Sequence, residues 1–406
     1  MSYDIASVRA DFPALLRGSA HFDGPGGTQT PSQVSDAIVE ALRGPLSNRG
    51  SVTTGESNAE RTVTDARSAI ADLVGGTPGG VVFGRSATQL CYDFSRLLSR
   101  SWSAGDEIIV TRLDHDSNIR PWVQAAEHVG ATVRWLDFNP ETSELDDIGT
   151  VLSDRTKLVA VTAASNLIGT KPPVAAIAAA AHDVGALVYV DGVHFTAHSV
   201  ADMAAFGADF YSCSPYKFLG PHLGTLTASP ELLESLHPDK LLPSTNHVPE
   251  RFEFGTLPYE MLAGVAAAVD YLSTLGITAD TNSSLSAAPR RERLRDAFAR
   301  LEKHEDQLLA RLEAGLADLP AITVHSRAQH RTPTLLLTID GRDTLDAYEF
   351  LATRGVDAPS SNFYALEASR RLGLGDDGGL RVGLAPYTNE DDIDRLLAGL
   401  AAFLTG

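Results

Sequence analysis

One lysine of this chain sits in a setting unlike that of the others. Lys217 lies in YSCSPYKFLGPHLG, an uncharged stretch of small and aromatic residues before a Gly-Pro turn, whereas Lys157, Lys171, Lys240 and Lys303 stand at element starts or in charged helical runs. Most lysines are solvated surface charges. An amine withdrawn from water has a depressed pKa and is the better nucleophile, as a lysine forming a Schiff base requires. Asp191 ends the apolar run LVYV, one βα-sized step upstream. A largely buried strand thus delivers a carboxylate to the edge of a sheet, where it needs a cationic partner. A turn-capping aspartate is the other reading of an isolated Val-Asp pair, and the lysine that follows argues against it. GRSAT precedes a helical run, so Ser86, Thr88 and the free N–H groups of a helix start can face one anion; any Ser or Thr N-cap looks the same. A lysine for a Schiff base, a carboxylate for a pyridine nitrogen and donors for a phosphate are together the requirements of pyridoxal 5′-phosphate (PLP).

All of these residues fall at the ends of strand-like runs. From Gly79 onward, short β-branched runs alternate with Ala-rich helical ones, the rhythm of parallel βαβ units. GGVVFGRSAT reads as a strand feeding a helix, and DEIIVTRLDHDSN, ATVRWLDF, KLVAVTAASN and ALVYVDGVH as strands ending in polar residues. PPVAAIAAAAHDVG reads as a helix with Pro at its start and Gly near its end, while ADFYSCSPYKFLG and LGTLTAS continue the sheet. In an open α/β sheet ligands bind beyond the carboxyl ends of the strands, so these polar ends should converge. YLSTLGITADTNSSLSAAP has the composition of a linker, and the helical run RRERLRDAFARLEKHEDQLLARLEAGL after it should join two domains. Strand TPTLLLTI, helix TLDAYEFLATRG, strand GLRVGLA and helix NEDDIDRLLAGLAAFL then read as a compact α+β domain.

A chain of 406 residues exceeds one ordinary core, so two domains are expected. With 43% hydrophobic and 21% charged residues it falls in the globular class. A formal charge of −19 argues against a nucleic-acid partner, because phosphate backbones are held by clustered Lys and Arg. A small solute is the expected ligand. The opening MSYDIASVRADFPALLRG lacks the apolar core of a secretory signal, and no run approaches a membrane span. Cys91 and Cys213 alone give no disulfide framework. The expectation is a cytoplasmic protein with no membrane partner and no bound metal.

VDGVH followed by SPYK, together with SNLIGT, DHDSNIRPW, FEFGT and RVGLAPYTNEDDID, resembles the class V aminotransferase family, particularly its cysteine desulfurase-like branch. The motifs run in order through most of the chain. The opening HFDGPGGTQTPSQVSDAI resembles a subgroup with FDxPGGTQ where desulfurases have an Asn-Ala-Ala-type loop. The resemblance implies an α/β protein of PLP-dependent transferase fold type I. Residues 25–285 would form a large PLP-binding domain with a mainly parallel seven-stranded sheet, and residues 1–24 and 286–406 a small α+β domain. It also implies roles. His115 stacks on the pyridine face, Asp191 pairs with the ring nitrogen and Lys217 carries the Schiff base. Asn166 and His194 match positions at the phenolic oxygen, the second usually Gln in desulfurases. Ala87, Thr88 and Ser214 match phosphate-binding positions beside Ser86, and Tyr216 replaces a His that commonly helps there. Gly255 and Thr256 match a segment that reaches the phosphate from the neighbouring subunit, which implies a homodimer with shared sites. Arg381 matches the arginine that takes the substrate carboxylate, work suited to a bidentate fork; pairing with a nearby acidic residue is the alternative. Asn48 and Arg49 match positions near the substrate entrance.

One departure bears on the reaction. Desulfurases carry a cysteine in a mobile loop of the small domain, where it attacks the substrate sulfur and carries the persulfide. The matching stretch here, VDAPSSNFYALEASRR, has none. Cys91, in the helix after the phosphate loop, and Cys213, in the strand leading to Lys217, read as small buried hydrophobes. The expected substrate is an amino acid or a metabolite keeping a free α-amino acid unit, with Lys217 as the base for its α-proton. The first choice of reaction is carbon–sulfur β-elimination from an S-substituted cysteine without an enzyme persulfide. The alternatives are an aminotransferase, an epimerase or a (decarboxylating) oxidative deaminase. A non-catalytic PLP-fold protein is the rival from another class, and the intact set of Lys217, Asp191, His115 and Arg381 argues against it.

Overall fold

Apolar runs buried on both faces build the central sheet of the computed structural model, which describes residues 3–277 and 288–406. After the short strand β1 (Ala20–His21) come β2 (Val81–Gly84), β3 (Glu107–Thr111), β4 (Thr132–Leu136), β5 (Thr156–Thr162), β6 (Leu187–Asp191), β7 (Phe210–Cys213) and β8 (Gly224–Ala228). Strands two to eight assemble in the order β2-β8-β7-β6-β5-β3-β4. Every neighbouring pair from β7 to β4 is parallel, and β8 runs antiparallel to both of its neighbours. β3, β7 and β8 are buried along their whole length, which is why the sequences of β3 and β7 do not alternate. The edge strand β4 alternates exposed and half-buried residues over most of its length. The helix Val174–Asp183 begins after Pro173 and buries Ile177, Ala178 and Ala181, as its Pro-to-Gly punctuation suggested.

Four further strands, β9 (Ile322–Val324), β10 (Thr334–Ile339), β12 (Ser360–Ser361) and β13 (Gly379–Gly383), form an antiparallel sheet in the order β12-β13-β10-β9. The remaining strand, β11 (Val356–Asp357), pairs parallel with β1, so the N-terminal segment packs with the C-terminal part of the chain. Asp23 bridges to Gly383, which fixes the loop after β1 against β13. The 28-residue helix Arg290–Ala317 serves two cores. Its Leu294, Ala297, Phe298 and Leu301 pack against the large sheet, while Leu308, Leu309, Leu312 and Leu316 pack with Ala20, Phe22, Leu335 and Val382. Most of the linker-like stretch, with the domain boundary expected at 285/286, lies outside the described residues. Among the described residues no helix is long and apolar enough to cross a membrane.

Candidate active site

Beyond the carboxyl ends of β5, β6 and β7 opens a cavity of about 600 Å³. Ser86, Ala87, Thr88, His115, Asn166, Asp191, His194, Ser214, Tyr216, Lys217 and Arg381 all line it. The strand ends converge, as the rule for open sheets requires.

Lys217 ends a single helical turn, Pro215–Lys217, that follows directly on β7. Its Nζ donates to the carbonyls of Pro25 and, at 3.0 Å, of Gly26, and lies 4.9 Å from the centre of the Tyr216 ring. Burial lowers its pKa to about 7; Arg381 pushes the same way, and Asp23 and Asp191 oppose. Asp191 is the last residue of β6, and its Oδ1 accepts from the Val193 N–H at 2.8 Å. No cation pairs with it among the described residues, and burial lifts its pKa to about 6. His115 caps the short helix Asp116–Asn118, its Nδ1 accepting from the Ser117 N–H at 3.0 Å. Burial, then Lys217 and Arg381, pull its pKa down to about 3, so the ring is neutral.

At the other end lies the start of the helix Ala87–Leu98. Ser86 is its N-cap, accepting from the Gln89 N–H at 3.1 Å, and its hydroxyl hydrogen stays free to donate. The first-turn N–H groups of Ala87 and Thr88 have no intrahelical partner. Gly224 of β8 passes so close beneath that a Cβ there would stand 2.1 Å from the Ser86 carbonyl carbon and 2.4 Å from the Ala87 nitrogen.

Between these poles the polar groups come from both parts of the chain. Asn166 donates from Nδ2 to the Phe363 carbonyl at 3.0 Å. His194 sets Nε2 against Thr332 Oγ1 (2.8 Å) and Thr334 Oγ1 (3.1 Å); burial and neighbouring His198 keep it neutral. Arg381, from β13, is only 2% exposed. Its Nη2 lies 2.6 Å from Asp23 Oδ1, its Nη1 donates to the Asn166 carbonyl at 3.1 Å, and the guanidinium sits 3.6 Å from the centre of the Phe363 ring. Pairing with an acidic residue, the alternative left open for this arginine, is what the resting chain shows.

Four candidates are not brought to the cavity by their own chain. Gly255 and Thr256 are exposed beside the exposed Phe254, and Asn48 is exposed too. Arg49 is held by Glu60 and Glu250, each at 2.9 Å. Conversely, the sequence reading assigned no role to Asp23, Tyr92, Asp116, Arg120, Ser361, Phe363 or Tyr364, all of which line the cavity. Asp23 stood inside the FDGPGGTQ motif, and Asp116 and Arg120 carry the i,i+4 spacing of the ion pair they make at 3.0 Å. Ser361, Phe363 and Tyr364 belong to VDAPSSNFYALEASRR, where Phe363 and Tyr364 both adopt left-handed backbone conformations (φ 52° and 59°). Cys91 and Cys213 are buried outside the lining. Burial raises both thiol pKa values, that of Cys213 to about 12.

The donor set fits PLP. Asp191 is a buried carboxylate lacking the cation that a protonated ring nitrogen would bring, the helix start offers free N–H groups to a phosphate, and the His115 ring is neutral. Asn166 Oδ1 and His194 Nδ1 are buried with no partner among the described residues, as groups awaiting a polar ligand would be.

The model of the aminotransferase class V family matches residues 20–294 and 294–396. A probable cysteine desulfurase 2 of Mycobacterium leprae is 31% identical over 427 residues, covering 98% of this chain and 96% of its own. The crystal structure of a cysteine desulfurase from Escherichia coli superposes with a TM-score of 0.86 at 24% identity, over 100% of this chain and 99% of that one. A lysine-to-alanine C-DES mutant with glycine covalently linked to its PLP cofactor superposes with a TM-score of 0.76 at 21% identity, over 97% and 98%. With the fold in place, and with Lys217, Asp191 and the start of the helix Ala87–Leu98 lining one cavity, the chain belongs to the class V aminotransferase family of PLP-dependent enzymes.

Proposed function

We propose that this enzyme cleaves the Cβ–S bond of an S-substituted cysteine by β-elimination, with no persulfide on the protein. The observation that carries the reading is the place of its two thiols. Both are buried away from the cavity with raised pKa values, and the segment that the family resemblance matches to the desulfurase cysteine loop lines the cavity with Ser361, Phe363 and Tyr364.

PLP, when bound, supplies an electron sink for the pair released at the substrate's α-carbon. Asp191 provides the negative charge that keeps the ring nitrogen protonated, His115 offers a neutral ring face, and Ser86, Ala87, Thr88 and Ser214 receive the phosphate. Arg381 takes the substrate's α-carboxylate. Lys217 anchors the cofactor and, once released, accepts the α-proton at Nζ; with a pKa of about 7 the amine is available as a base near neutrality. The Cβ–S bond breaks with its electron pair going to sulfur, which departs as thiolate on the substrate fragment. The remaining aminoacrylate adds water and loses ammonia to give a 2-oxo acid.

The test is thiol release from a panel of S-substituted cysteines. A Cys91→Ser/Cys213→Ser double variant should keep that activity and Lys217→Ala should lose it. Protein-bound persulfide that disappears with either cysteine, or no thiol release across the panel, would overturn the reading. The active unit is a homodimer in this proposal. Its support is that Gly255 and Thr256, which the family resemblance assigns to a phosphate contact, are exposed and outside the cavity of their own chain.

A further inference from the structure

Arg381 already holds a carboxylate in the resting chain. Asp23 lies 2.6 Å from its Nη2, and the two differ sharply in exposure: the arginine is 2% accessible and the aspartate 33%. Both residues line the cavity, and Asp23 is the accessible member of the pair, so a substrate carboxylate bound for Nη2 meets that of Asp23 already in contact with it. Its socket is built. A Cβ at Gly26 would lie 2.2 to 2.5 Å from the Asp23 carboxyl atoms, so the glycine of FDGPGG is what leaves room for that side chain. Asp23 also bridges to Gly383 on the strand that carries Arg381. The other sides of the guanidinium are closed: Nη1 donates to the Asn166 carbonyl, Nε is buried, and Phe363 covers a face at 3.6 Å.

Resting on the reading that Arg381 takes the substrate carboxylate, we propose that Asp23 is a specificity-determining residue, and that substrates bind by exchanging their α-carboxylate for that of Asp23 on Arg381. A ligand with a carboxylate must break an existing charge-assisted bond before it gains its own, so its net affinity is the difference between two similar interactions. A ligand without a carboxylate leaves the pair intact and gains nothing from Arg381. Asp23 thus tunes how strongly the site favours amino acids over simple amines, and keeps the buried arginine neutralised between turnovers. The displaced carboxylate stays near Lys217, whose Nζ is held by the carbonyls of Pro25 and Gly26 in the same loop.

The experiment compares binding to the holoenzyme by calorimetry and by the cofactor's absorbance, with three probes: propanoate, L-alanine and ethylamine. Asp23→Asn keeps the shape and removes the charge. It should tighten propanoate and L-alanine by about tenfold or more, the equivalent of one charged hydrogen bond no longer broken, and leave ethylamine unchanged. Asp23→Glu, which keeps the charge, should not tighten either carboxylate. If Asp23→Asn folds poorly by circular dichroism, Asp23→Ser is read in the same way. Unchanged or weaker carboxylate binding in the neutral variant, while Arg381→Ala still weakens it, overturns the exchange and leaves the role of Arg381 standing. Carboxylate binding indifferent to Arg381→Ala overturns the underlying reading instead.

Discussion

Burial, more than pairing, sets the charge of Asp191 and Lys217. The folded pKa of Asp191, about 6, stands above the ordinary 3.8 because water is excluded, and the Val193 N–H and the charge of Lys217 offset that only in part. Between those values the cofactor-free folded chain keeps a proton that the unfolded chain has released, so stability falls as pH rises through that window, and the penalty is complete above it. Cofactor-stripped Asp191→Asn should therefore be more stable than stripped wild type by about 2–3 kcal/mol at about pH 8, and by less at about pH 5, in urea melts. Equal stability at both values would contradict the assignment of a buried, unpaired carboxylate. Lys217 has the opposite sign of slope: its folded pKa of about 7 lies below 10.5, so stability rises with pH between them. Borohydride reduction should fix the cofactor to the peptide containing Lys217, and Lys217→Ala should retain PLP poorly and lose turnover. Labelling at another lysine would reassign the anchor. Arg381→Ala should impair turnover of amino acids while sparing PLP retention, and Arg381→Lys should recover little because the fork is lost; unchanged kinetics would reduce Arg381 to the structural partner of Asp23. Lys217 was legible in sequence because its local setting is uncharged. Asp23 was not, since its partner is 358 positions away and long-range pairings such as β1–β11 and Asp23–Gly383 bring the two together.

At the scale of elements, the carboxyl-end strands were readable because a parallel strand buried on both faces is a continuous apolar run ending where the polar residues begin. What sequence could not show is which strand passes beneath which helix. β8 inserts antiparallel between β2 and β7, and this places Gly224 under the first turn of the helix Ala87–Leu98. Gly224→Ala should push that turn away, weaken PLP retention and destabilise the fold by about 1–3 kcal/mol, as overpacking against backbone does. Cofactor titration and thermal melts check it, and an alanine tolerated on both counts would mean that the helix start has slack. The two-residue strand β12 and the left-handed Phe363–Tyr364 pair had no periodicity to reveal them. They are specified by tertiary contacts, namely the ladder to β13 and the bond from Asn166 to the Phe363 carbonyl.

Over the whole molecule, the helix Arg290–Ala317 ties the two cores together, and the cavity draws residues from both: Lys217 and Asp191 from the large sheet, Arg381 and Phe363 from the C-terminal part. If the working unit is a dimer with shared sites, each site further needs Thr256 of the partner subunit, and that can be tested by complementation. Lys217→Ala removes the anchor of a chain's own site, whereas Thr256→Asp sets a carboxylate where the phosphate should be received. In a two-fold dimer each chain completes the other's site. A heterodimer of the two variants therefore carries one doubly damaged site and one that is wholly native. Each variant alone should be inactive, and refolding them together in equal amounts should restore about a quarter of the wild-type sites, because half the dimers are mixed and each mixed dimer has one good site. Thr256→Ala should be milder, weakening PLP retention by about 1 kcal/mol for a single lost hydrogen bond. Sedimentation should show no active monomer. A mixture as inactive as its parents, or a Thr256→Asp chain that stays active alone, would show that each chain completes its own phosphate site.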